Sequence, residues 1–175
     1  MAKVGYSKLG LKVNTDINTF TFGDNVVEVL KYLPIEDKLD LIDITLQKAE
    51  INEVYNELLV DMYFHLNLIY LYSNISFTEK QKEDEFKLYN ALESSGFLSQ
   101  FLAAMDENEY NACFEYLNQV KDSRTTYRHS TAGIVKSMIV DLPSNAAAAA
   151  SLLKDFDETQ FENVLSLART AGYQK

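Results

Sequence analysis

A mainly α-helical chain, a multi-helix bundle with an N-terminal extended arm and a β-hairpin, is what this sequence predicts, and three observations predict it. Residues 1–33 alternate small, β-branched and aromatic side chains between glycines, whereas apolar residues from Pro34 onward recur at helical spacing. Only two prolines and six glycines interrupt 175 residues, and four of those glycines precede residue 100, which favours long helices in the second half. Charge divides in the same direction. Residues 1–15 hold Lys3, Lys8 and Lys12 and no acid, while the remainder carries the other 13 basic residues against all 26 acidic ones. The expected organisation is an arm and hairpin over 1–33 joined to an acidic helical body over 34–175.

Within the arm, Leu9, Leu11 and Val13 alternate with Gly10 and Lys12, the period of a strand with one covered face. Residues 17–22 and 26–32 then flank Gly23-Asp24-Asn25, a triplet able to supply positive-φ turn positions, so a hairpin is predicted. Two or three strands alone are marginal in water. This segment is therefore expected to gain its order from the helices or from another chain.

Pro34 suits a first helical turn, where its missing N–H costs nothing. Glu36 and Asp37 follow where the helix dipole favours negative charge, and Leu39, Ile42, Leu46 and Ala49 form the expected apolar stripe. A second helix, predicted over 53–74, is apolar nearly all round, which makes it the central element of the body. Its tyrosine hydroxyls need partners or access to the rim. Thr78 followed by Gln81 reads as a capping box opening a third helix over 79–94, which Gly96 ends. A short helix is predicted over 97–105. Asp106 caps a longer one running towards Leu142 and stopping at Pro143, with the Ser/Thr-rich stretch 123–131 as the place for a break. Beyond it come an alanine-rich helix from Ser144, suited to close packing within the subunit, and a last helix capped by Asp157 and ended by Gly172.

Bulk properties exclude several function classes. The net charge of −10 and pI near 4.6 argue against general nucleic-acid binding, which needs a cationic footprint, and against adhesion to anionic membranes. The most apolar stretch, 58–75, contains Asp61, His65, Asn67 and Asn74 and makes a poor membrane span. One cysteine excludes an internal disulfide. The first residues lack the pattern of a secretory leader, and an intracellular product is expected.

Chemistry is scarce. His65 and His129 lie on different predicted helices and neither belongs to a metal-binding pattern, so no metal and no cofactor is expected. His65 lies one turn from Asp61, either as a proton carrier or, in the favoured reading, as a rim histidine bonded to Asp61 or a tyrosine. Cys113 has Glu109 and Glu115 nearby rather than the electropositive setting of a nucleophile, and is expected to be a buried small hydrophobe. The acidic groups Glu36/Asp37, Glu83/Asp84/Glu85 and Asp106/Glu107/Glu109 fall at helix starts or solvated faces. No glycine-rich phosphate loop is present. One local cationic face exists: Lys121, Arg124 and Arg128 share a helix side, suited to an anion, to an acidic neighbouring subunit or to solvent alone.

The runs 22–29 (FGDNVVEV), 32–42 (YLPIEDKLDLI), 59–66 (LVDMYFHL), 75–84 (ISFTEKQKED) and 141–148 (DLPSNAAA) resemble a family of small virion-associated proteins. That family belongs to tailed phages of low-GC Gram-positive bacteria. The likeness spans most of the chain from about Phe20 and includes no catalytic motif. It implies a phage origin, in the virion and in the host cytoplasm during assembly. The expected function is a non-enzymatic structural component, bound to the capsid or the head–tail region. Other phage structural proteins are the expected partners, with several copies in a symmetric assembly. The expected contacts are Lys3, Lys8, Leu9, Leu11, Lys12 and Val13 of the arm, with Lys121, Arg124 and Arg128. The alternative is a tail-assembly chaperone absent from the finished particle.

Overall fold

A computed structural model describes residues 3–134 and 136, and it is mainly helical with a small antiparallel hairpin near the start. Expectations for Pro143, the alanine run and the helix ended by Gly172 lie outside the described residues. The chain divides into two compact units, Met1–Thr125 and Thr126–Lys175.

The expected strand over 9–13 is not formed. Tyr6–Leu9 makes a 3₁₀ turn, and Gly10, at φ 60°, ends it in the left-handed region. A strand needs a ladder to satisfy its backbone, and among the described residues no strand pairs with 10–15. The hairpin is formed as expected by β1 (Ile17–Phe22) and β2 (Asn25–Leu30), in register from Ile17↔Leu30 to Phe22↔Asn25. Gly23 supplies φ 61° at the first of the two loop residues, where a β-branched side chain would be strained.

This hairpin packs on the helices, one of the two supports expected for it. Val27 and Val29 are buried, and Phe20 and Phe22 set their rings 5.5 and 5.1 Å from Phe97. Asn18 donates to the Ala104 carbonyl at 2.8 Å, and Val29 bridges to Ser73. The boundary drawn at 33/34 thus runs through a packed layer. Packing changes instead near Ile17, where residues with one half-buried face begin.

The first helix, α1 (Ile35–Ala49), begins after Pro34 with Glu36 and Asp37 in its first turn. Its buried face is Lys38, Leu41, Ile42, Thr45, Leu46 and Ala49, so the expected stripe is displaced: Leu39 is 54% exposed. The displacement has a cause. Lys38 and Thr45 occupy core positions because Glu109 and Asn67 satisfy them there.

A second small hairpin, missed in the sequence, follows: β3 (Glu50–Ile51) and β4 (Val54–Tyr55) close on Asn52 and Glu53, at φ 51° and 64°. The expected helix over 53–74 therefore starts later, as α2 (Glu57–Tyr72), with Asn56 accepting from the Leu58 and Leu59 N–H groups. Its buried residues include Phe64, Leu66, Leu68, Ile69 and Tyr72, which makes it the central helix, as its composition predicts.

The third helix is split into α3 (Glu79–Lys82) and α4 (Glu85–Ser94). The Thr78–Gln81 capping box forms, and Asp84 caps the second piece through Lys87 N–H. Gly96, at φ 77°, turns the chain into α5 (Phe97–Ala104), and Asp106 caps α6 (Glu107–His129) through Glu109 N–H.

Within the second unit, Ser130 breaks the helical run, its Oγ donating to the Tyr127 carbonyl. A Cβ on Gly133 would lie 2.2 Å from that same carbonyl oxygen, so only glycine fits this close approach.

Candidate docking site

Every described residue from Lys3 to Asp16 is exposed. The arm nonetheless carries five large apolar side chains. Tyr6 is 76% exposed, Leu11 65% and Val13 66%, with Val4 and Leu9 similar. Tyr6, Leu11, Val13 and Tyr32 line a shallow open groove of about 440 Å³, which the arm's own side chains leave unfilled. Burying each such side chain is worth roughly 1.5–3 kcal/mol, so an unpacked run of five is a candidate contact surface. Lys3, Lys8 and Lys12 are exposed along the same run, as are Leu9, Leu11 and Val13. The structure brings all six predicted arm residues together on one exposed segment.

The basic helical face behaves differently. Lys121 donates to Glu57 Oε2 at 2.7 Å, and the Arg124 guanidinium pairs with Asp43 Oδ1. The acidic surface that these two cations meet is the chain's own α1 and α2. Arg128 lies in the second unit and also has an interaction of its own.

Glu109 stands at a helix start, as the sequence suggests, but its burial was not anticipated. It is 8% exposed in the first turn of α6, not on a solvated face. Lys38 Nζ reaches its carboxylate at 2.8 and 2.9 Å, the Tyr72 hydroxyl donates at 2.7 Å and Leu33 N–H at 2.9 Å. The Lys38 ammonium also lies 4.4 Å from the centre of the Tyr32 ring. Cys113 Sγ sits 3.2 Å from the same Tyr72 hydroxyl. Burial raises the pKa of both the phenol and the thiol above their ordinary values. A protonated thiol beside a carboxylate is no nucleophile. The network ties α1, α2, α6 and the segment after β2 together.

His65 is the rim residue the sequence suggests. Its Nδ1 lies 3.4 Å from Asp61 Oδ2 without making a hydrogen bond, and its Nε2 lies 3.4 Å from the Tyr110 hydroxyl. Burial lowers its pKa, opposed by Asp61 and Glu93. Tyr89 beside it is raised to about 12 by burial and the same two carboxylates. Among the described residues no group of three or more His, Cys, Asp or Glu side chains is placed to hold a metal ion. No described helix is long and apolar enough to cross a membrane.

Comparison with protein-family models, with curated proteins and with solved structures finds no match for the chain.

Proposed function

We propose that this chain is a non-enzymatic structural subunit of a phage virion, held to the capsid or head–tail region by its N-terminal arm. The observation that carries the docking part is the exposure of five large apolar residues and three lysines in one segment, beside a body whose described residues bury a core of their own. Such a segment gains from contact with a surface that is apolar and acidic, and its three lysines favour acidic partners. The phage part is supported by the sequence runs set out above. Among the described residues of the body, Lys38, Glu109 and Tyr72 are joined to one another, and burial raises the pKa of the Cys113 thiol.

Two measurements test this. Mass spectrometry of purified particles should detect the full chain at a fixed ratio to the capsid protein; detection only in host lysate would replace a virion component with an assembly factor. A chain lacking residues 1–15 should keep its helical circular dichroism and be lost from particles. Normal incorporation of that shortened chain would end the docking reading.

A further inference from the structure

The outer side of β1 is open, and its main chain lacks what an extended arm would supply. Lys31 N–H donates to the Asp16 carbonyl at 2.9 Å, which marks 16/31 as a hydrogen-bonded pair of the antiparallel ladder. By alternation, the main-chain groups of Ile17, Thr19 and Thr21 point away from β2. The far side of β2 confirms the phase. There the Glu28 N–H and carbonyl point outward and are met by the Asn74 side chain and N–H at 3.1 and 3.3 Å. The outward groups of β1 have no such cover: among the described residues no strand lies beyond it. The side chains of Ile17, Thr19 and Thr21 are exposed as well, with exposed Val26 opposite Thr21. An uncovered strand edge is a template for another strand.

We propose that this edge receives the arm of a second copy of the chain, with residues 9–13 added to β1 as a further strand. The proposal rests on the docking reading above and names the acceptor. Leu9, Leu11 and Val13 carry the alternation of a strand, yet among the described residues no strand pairs with them. Their own edge is awkward to reach. The chain would have to reverse within 14–16, where Asp16 is held by its N–H to Asn14 Oδ1 and by its carbonyl to Lys31. Charge fits a second copy too. The arm is cationic with no acid before Asp16, whereas residues 16–30 carry Asp16, Asp24 and Glu28 and no basic residue. Fully extended, a segment of this length reaches roughly 45 Å. An arm reaching from one copy to the edge of the next makes a head-to-tail contact, which closes into a ring or continues as a row.

The test uses full-length chains carrying one substitution each, Leu11→Cys or Thr19→Cys, purified separately, mixed and treated with a short bis-maleimide. Buried Cys113 stays out of the reaction. The expected result is a cross-link between unlike chains, reduced at least tenfold when the Thr19→Cys chain also carries Thr21→Pro. That proline removes an outward N–H and leaves the β1–β2 ladder intact, and circular dichroism checks the fold. Sedimentation should show association of the natural chain and none for a chain lacking residues 1–15. A monomeric natural chain with no cross-link above the proline-blocked level overturns the proposal. So does efficient cross-linking within one chain carrying both cysteines, which would put the arm on its own edge. Should the shortened chain be excluded from particles while full chains fail to cross-link, docking stands and the acceptor is another protein. Should the shortened chain enter particles, docking itself falls.

Discussion

Glu109 is where single residues matter most to this fold. Its carboxylate accepts from an ammonium, a phenol and a backbone N–H, and both charges of the Lys38–Glu109 pair are nearly free of solvent. Removing one partner strands the other without water. Lys38→Met should therefore cost about 3–5 kcal/mol, whereas the double change Lys38→Met with Glu109→Leu should cost less than the sum of the singles. Urea titration of the four proteins checks this. His65 makes a second prediction. Burial lowers its folded pKa, so below the unfolded value of about 6.5 the unfolded chain takes up a proton that the folded one resists. Its contribution is complete above that value and is lost as pH falls towards the folded pKa. Between pH 7 and 5, His65→Gln should lose stability less steeply than the natural protein. Neither behaviour was legible from spacing. Glu109 and Lys38 sit in runs of charge that read as solvated, and only the meeting of α1 with α6, far apart in the chain, removes them from water.

At the scale of elements, the caps at Thr78 and Asp106 were legible and those at Asn56 and Asp84 were not. Thr78, Asp84, Asn56 and Asp106 each accept from the turn they open. Asn56→Ala should cost about 1 kcal/mol while Asn56→Asp stays near neutral, read from thermal unfolding. The β3–β4 hairpin was hidden because its turn, Asn52-Glu53, has no glycine to announce positive φ. The break between α3 and α4 was hidden for the opposite reason. Residues 79–94 have helical spacing throughout, and an Asp84 side chain that caps looks in sequence like any acid on a surface.

For the molecule as a whole, the informative contrast lies between two adjoining segments. The hairpin is anchored: Phe97 touches Phe20, Phe22 and Phe101, and Phe97→Ala should lower stability by about 3–5 kcal/mol. The arm is not. Deleting residues 1–15 should move the thermal midpoint of the purified chain by no more than a degree or two, since none of its described side chains is buried. Composition revealed the arm's charge and its alternation but not how the hairpin after it packs. Alternating Phe20 and Phe22 look alike whether they face a neighbour or their own α5, and only the fold distinguishes the two.

Cys113 gives the body a built-in clock. The sole thiol of the chain is fully enclosed between α2 and α6, so a small alkylating reagent reaches it only during moments when those helices part. The pace of labelling, followed by intact mass, should match the pace of opening of the whole core and slow sharply when the chain is held in an assembly. A subunit locked among neighbours and one drifting free would then differ in a quantity that needs no added probe.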